Sequence, residues 1–188
     1  MVTADLHAGC LLSERIHLIP PSAVRVDEMH TLIANFGQLH SQFLDWVGNP
    51  PSPEKTSHNM QVAIKNFSEG KEEYKFLIVD NQTENLLGCI SLFIRNPLIP
   101  FFEIGYWLGN GAMGKGFATE ACALIKTIAL DFFNAKRLEI RTAKRNTRSI
   151  RVAERAGFQL EAILVNERID KNGELDDTCI YVCPKLPK

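Results

Sequence analysis

Two stretches of this sequence combine residue types that can handle phosphate. The first, YWLGNGAMGKGFATEA (106–121), sets Gly109, Gly111, Gly114 and Gly116 within eight residues and so holds four of the chain's twelve glycines. Its spacing admits three readings. GxxxxGK from Gly109 to Lys115 is close to a P-loop, but a P-loop needs Ser or Thr after the lysine to ligate magnesium. Position 116 is glycine, so that reading loses its metal-binding atom. GxGxxG at Gly109, Gly111 and Gly114 is the dinucleotide fingerprint, which belongs after the first strand of a βαβ unit and needs an acid at the end of the next strand. Roughly a hundred residues precede the loop here, and the following strand ends Ile140-Arg141-Thr142-Ala143 with no acid. Arg141 could hold a 2′-phosphate instead, which keeps NADP open. The third reading asks only for a helix mouth. Consecutive amides from Ala112 to Phe117, at the positive end of a long helix, bind a pyrophosphate without metal. Glycines at 114 and 116 clear Cβ atoms from the phosphate's path, and Lys115 adds a charge. A glycine-rich turn with no ligand is the plain alternative.

The second stretch is NTRSIRVAERAGF (146–158). From Lys136 to Arg155 there are eight basic and two acidic residues, a net of +6 in a chain of net charge −1. A solvated helix face would produce such a cluster. So would a site for an anion with several phosphates, beside an acidic remainder suited to a cationic partner. Among the carboxylates, Glu103 lies in the apolar run FFEIGYWL. Burial there would raise its pKa and suit it to act as a base. Residues 103, 105 and 107 share one strand face, so an outward-facing Glu103 fits equally well. Glu167 is a second candidate base, and Glu161 reads as structural. Trp46 and Trp107 read as core or pocket wall. Cys122 falls on a buried helix stripe and has no case as a nucleophile.

The elements that must position these groups follow from periodicity and turn signals. Arg15–Leu18 alternates as a short strand. Val26–Val47 has helical spacing, split by Gly37. Ser52, Pro53 and Glu54 start a helix that runs to about Ser68 and ends at Gly70. The period then changes to strands at Tyr74–Val79, Leu86–Ile94 and Phe101–Leu108. A long helix spans Gly116–Phe133, a strand Leu138–Thr142, and a helix Asn146–Ala156 capped by Asn146 and ended by Gly157. Strands Phe158–Arg168 and Leu175–Val182 close the chain around a DKNG turn. The expected fold class is α+β, helices around one sheet.

The 188 residues suit one domain with a full core. No apolar run approaches the roughly 20 residues of a membrane span, and the N-terminus lacks the features of a secretory signal. The five cysteines and five histidines show no metal-ligand spacing, so neither a disulfide scaffold nor a metal site is expected. The near-neutral charge gives no reason to expect nucleic-acid binding. A cytoplasmic location is the expectation.

FFEIGYWLGNGAMGKGFATEA followed by NTRSIRVAERAGF resembles the two core motifs of the GCN5-related N-acetyltransferases (GNAT): the acetyl-CoA pyrophosphate loop and the Asn-x-x-Ser helix ending in Gly-Phe. LHSQFLDWV and the hairpin KNGELDDTCIY are similar to segments of the RimJ/RimL-like ribosomal-protein branch. The resemblance covers about residues 14–183 and implies a single acetyltransferase domain over 1–188. It implies a mixed, mostly antiparallel central sheet with helices on both faces and a V-shaped splay between two parallel strands, Glu103–Leu108 and Leu138–Thr142. The pantetheine arm would lie in that splay, along the free edge of Tyr106, Trp107 and Leu108. Met113, Gly114, Lys115, Gly116, Phe117, Ala118, Asn146 and Ser149 would hold the rest of acetyl-CoA. Where the family often carries Gln or Arg, position 111 is glycine, which removes one phosphate contact. Many members place a tyrosine acid on the second-motif helix; here positions 153 and 154 are Ala and Glu. Ser149 is then the expected donor to the departing thiolate, with Glu103 or Glu167 as base. The resemblance implies an amine acceptor, a ribosomal-protein N-terminus in this branch, and a monomer or homodimer. Acetylation of a polyamine or aminoglycoside is one alternative, and a CoA-binding protein without turnover is another.

Overall fold

The computed structural model describes residues 11–44, 47 and 51–184. Its centre is one eight-stranded sheet in the order β1-β2-β3-β4-β5-β6-β8-β7. The strands are β1 (Leu11–Leu12), β2 (Ile16–Ile19), β3 (Glu73–Asp80), β4 (Leu86–Asn96), β5 (Phe101–Leu108), β6 (Arg137–Ala143), β7 (Gln159–Ile169) and β8 (Leu175–Val182). Five helices accompany them: α1 (Val26–Ala34), α2 (Gln38–Phe43), α3 (Pro53–Glu69), α4 (Phe117–Asp131) and α5 (Thr147–Arg155). Every strand pair is antiparallel except β5 with β6.

Alternation along β3 divides the interior. Phe76 and Ile78 join a cluster with Ile125 and Ile128 of α4 and Ala153 of α5. Leu77 and Val79 point the other way, into a cluster with Met29 of α1 and Met60 of α3. Helices therefore cover both sheet faces, as period-two strands with two apolar faces require. Fully burying one such Leu or Ile contributes roughly 1.5–3 kcal/mol, and Ile16, Leu77, Ile90, Ile104 and Leu138 are all completely inside.

Both ends of α3 follow their sequence signals. Ser52 accepts from the Lys55 N–H ahead of Pro53, and α3 stops at Gly70 in the left-handed conformation. The helical stretch 26–47 is split at Gly37 into two helices, as expected, but α2 ends at Phe43, where Leu44 is already extended. Trp46 lies outside the described residues.

The feature that shapes the site is the parallel pair. β5 and β6 are in register only at Phe101 with Arg137, Phe102 with Leu138 and Glu103 with Glu139. Beyond that point β5 continues to Leu108 beside β4 alone, and β6 continues to Ala143 beside β8 alone. The two strands diverge, and the expected splay opens between Ile104–Leu108 and Ile140–Ala143.

Candidate active site

The open end of the splay is a cavity of about 510 Å³. Tyr106, Trp107 and Leu108 form its β5 wall. Met113, Gly114, Gly116, Ala118 and Thr119 form the mouth of α4. Asn146, Arg148, Ser149, Arg151, Val152 and Arg155 line it from α5. Leu39, His40, Phe43 and Leu44 close it from α2.

The glycine loop takes the shape its composition allows. Gly114 and Gly116 have φ of +77° and +89°, a region that costs a residue with a Cβ roughly 1–2 kcal/mol. Gly116 is the N-cap of α4, and no side chain caps that helix. Its first amides keep their hydrogen-bonding capacity for a ligand. Lys115 and Phe117 are not in the lining. Phe117 is buried in the core beneath the Arg15 guanidinium, 4.8 Å from its ring centre, and Lys115 is exposed. The grip at this mouth is therefore main chain, and the nearby positive side chains come from α5.

The basic stretch splits into two populations. Arg137 pairs with Glu139 and Glu161, Arg141 with Glu167, Lys144 with Asp177, and Arg145 with Asp170 and Glu174. Arg148, Arg151 and Arg155 line the cavity and form no ion pair among the described residues. Their spacing of three and four places them on one face of α5. Structural ion pairs thus absorb the first half of the cluster, and three free guanidinium groups face the cavity.

Ser149 stands where α5 begins. Its N–H donates to Asn146 Oδ1 at 3.1 Å, the helix cap. Its Oγ lies 2.8 Å from the Tyr106 hydroxyl. Burial drives the Tyr106 phenol far above its ordinary range, with neighbouring Cys122 adding to the effect and the Ser149 contact opposing it. Tyr106 therefore stays neutral. Burial likewise raises the Cys122 thiol, which keeps it protonated and inert.

The two candidate bases have different surroundings. Glu103 is at the closed end of the splay, at the last paired position. It is held by Arg95 at 2.9 Å, and neither it nor Glu167 is among the residues that line the cavity. Burial raises its pKa, and Arg95 opposes the shift. Glu167 sits on a bulge of β7, where Val165, Asn166 and Glu167 oppose Asp177 alone. Asn166 takes a positive φ of 54° there. The bulge turns the Glu167 carboxylate back across the sheet, where Arg141 donates to Oε1 at 2.8 Å and Thr178 to Oε2 at 2.6 Å. Arg141 lies two residues past the last β5–β6 pair, so Glu167 is beside the open end. Glu161 is bound to Arg137 and is structural.

One lining residue carried no sequence signal for a role. His40 is buried. The Gly37 N–H donates to its Nδ1 at 3.2 Å, so Nε2 carries the hydrogen and donates to the Leu108 carbonyl at 2.7 Å. Its ring stacks on Phe36 at 3.9 Å, and Phe36 meets Trp107 edge-on. Trp107 is both core and cavity wall. The free edge of β5 is shorter than Tyr106–Leu108, because one lone pair of the Leu108 carbonyl is already used.

Among the described residues, no group of three or more His, Cys, Asp or Glu side chains is placed to hold a metal ion. No helix of those residues is long and apolar enough to cross a membrane.

This architecture is shared with known proteins. RimL, a ribosomal L7/L12 alpha-N-protein acetyltransferase solved in complex with coenzyme A, superposes with a TM-score of 0.82 at 25% identity, over 93% of this chain and 97% of its own. The ribosomal-protein-serine acetyltransferase of Escherichia coli (strain K12) is 27% identical over 90% of this chain and 93% of its own length. YjcK, a probable N-acetyltransferase of Bacillus subtilis (strain 168), is 39% identical over 58% of this chain and 60% of its own length. Residues 15–159 match the acetyltransferase (GNAT) domain, and the chain belongs to the GNAT family of N-acetyltransferases.

Proposed function

We propose that this chain transfers the acetyl group of acetyl-CoA directly to the N-terminal α-amine of a protein, such as a ribosomal protein. The observation that carries the reading is the splay between β5 and β6, which opens at one end onto the uncapped mouth of α4. The amides there suit the coenzyme's pyrophosphate, and the three unpaired arginines of α5 suit its remaining phosphate charge. The acetyl thioester is the group the coenzyme supplies. Kinship with proteins named for ribosomal-protein acetylation supports the acceptor class.

The residues of this chain then divide the work. A main-chain amide of Tyr106 or Leu108, on the edge of β5 turned away from β4, is placed to donate to the carbonyl oxygen as it gains charge, a contribution worth about 3–4 kcal/mol in a water-excluded site. The amine nitrogen attacks the carbonyl carbon, the C–S bond breaks, and the amine proton leaves through Glu167. Ser149, on the opposite face of the gap, donates to the departing sulfur. A protein α-amine, with a pKa of about 7.7–8.0, is roughly a quarter to two-fifths neutral at pH 7.5, whereas a lysine side chain at about 10.4 is neutral only to about one part in a thousand.

The test is thiol release with peptides beginning Ser, Ala or Thr compared with spermidine at pH 7.5. We expect the peptides to exceed spermidine at least tenfold in kcat/KM. Equal or better turnover of spermidine would assign the chain to small amines. CoA binding with no turnover of any amine would make it a binding protein.

Position 111 offers a second check. A Cβ there would meet no heavy atom of the described residues within 4 Å. Gly111→Arg restores the side chain that family loops often carry. It is expected to lower the KM for acetyl-CoA about three- to tenfold with kcat unchanged, a gain of the size of one charge-assisted contact.

A further inference from the structure

We propose that Arg15 is a positioning residue for the coenzyme site, holding the peptide between Lys115 and Gly116 in the orientation that presents the Gly116 amide to phosphate. The inference rests on the reading of the α4 mouth as a pyrophosphate grip. Arg15 is a hundred residues away in sequence and just precedes β2, yet its side chain spans the loop. Its Nη1 donates to the Lys115 carbonyl at 2.9 Å. Its Nε and Nη2 donate to Glu120 Oε2 at 2.9 and 2.6 Å. Glu120, in the first turns of α4, also accepts from the Arg15 N–H at 3.1 Å and from the Ser13 hydroxyl at 2.5 Å. The platform beneath is fixed in turn, because the Asn81 N–H donates to the Arg15 carbonyl at 2.9 Å and Asn81 Nδ2 to the Ser13 carbonyl at 2.9 Å.

The geometry assigns the direction of the effect. Across a trans peptide the carbonyl and the next N–H point in opposite directions, and no cis peptide is present among the described residues. A guanidinium that grips the Lys115 oxygen on the outer side therefore turns the Gly116 N–H inward, where Gly114 and Gly116 border the cavity. Gly116 has a φ of +89°, and glycine has no side chain to hold that peptide plane. A Cβ at 116 would stand 3.2 Å from Arg15 Nη2, so arginine and glycine are fitted to each other. A lysine could supply the charge but not three directed bonds from one planar fork.

The experiment is calorimetric titration of CoA into the wild type, Arg15→Met and Arg15→Lys, with kcat/KM measured for acetyl-CoA and for S-acetylpantetheine, which lacks the pyrophosphate. Arg15→Met is expected to weaken the Kd for CoA about tenfold and to lower kcat/KM for acetyl-CoA to match, leaving S-acetylpantetheine within twofold. Arg15→Lys is expected to weaken CoA at least threefold, and it serves as the probe if the methionine variant fails to fold. Equal losses for both thioesters, an unchanged Kd, or full rescue by lysine would each overturn the proposal. A wild type that prefers acetyl-CoA to S-acetylpantetheine by less than twofold would instead overturn the pyrophosphate reading, and the proposal with it.

Discussion

Ser149→Ala is expected to lower kcat by about 100-fold while the KM for acetyl-CoA changes less than threefold, the range for losing one donor to developing charge. The reason lies in the hydroxyl pair. Burial holds Tyr106 neutral, so its phenol keeps a proton to donate. Given to Ser149 Oγ, 2.8 Å away, that proton leaves the serine's own hydrogen free for the cavity and the departing sulfur. Tyr106→Phe removes the support and leaves the serine, so a loss of about tenfold is expected. The double variant should be no slower than Ser149→Ala, because both residues act on one proton position. Steady-state kinetics of the three variants decides this, with thermal unfolding as the control for the buried phenol, which keeps only its longer 3.4 Å contact to the Ser149 carbonyl when Oγ is removed, a cost of at most about 1–3 kcal/mol. Losses that multiply would mean that Tyr106 acts on the substrate separately from Ser149.

The glycine loop and its helix were legible because left-handed backbone has few residues to choose from. Gly114 and Gly116 adopt that conformation, and the apolar stripe of Phe117, Ala121, Ile125 and Ile128 fixes the buried face of α4. The end of that helix was less legible: expected at Phe133, it falls at Asp131, and Phe132 beyond it is 38% exposed. The basic cluster misled in a specific way. Its total charge was correct, but charge alone does not say which arginines meet a carboxylate across a sheet. Arg137 and Arg141 project from a strand toward Glu161 and Glu167, partners more than twenty residues away. Arg148, Arg151 and Arg155 project from a helix into a cavity. Long-range register decides that split, and no local pattern encodes it.

His40 and the β7 bulge were hidden for the same reason. A histidine in the sequence GQLHSQF has no partner visible along the chain; its acceptor, the Leu108 carbonyl, is brought to it by tertiary packing. The bulge at Val165–Glu167 contains no glycine or proline to announce it. Asn166, which tolerates positive φ better than most residues, is its one local trace.

Glu167→Gln is the second large effect, with kcat expected to fall about 100-fold against less than threefold for Glu103→Gln, measured with the same peptide acceptor. Both residues are carboxylates near the splay, and their positions along it separate them. Glu103 is level with the last β5–β6 pair, where the strands are still bonded and no acceptor can enter. Its carboxylate is bound to Arg95 and its side chain is only 14% exposed. Glu167 stands past that point, on the side of the sheet away from Ser149, with 41% of its side chain exposed. Each of its oxygens accepts one bond, from Arg141 and from Thr178. A lone pair on each remains for the amine or an intervening water, and solvent is near to take the proton onward. Glutamine keeps the shape but cannot accept that proton, so substrate binding should persist while kcat falls, a split that loss of folding would not produce. Thr178→Ala releases one oxygen without removing the base and is expected to cost about tenfold. If Glu103→Gln proved the slower of the two glutamine variants, the proton would have to leave at the closed end of the splay, and the direction assigned to the incoming amine would be reversed.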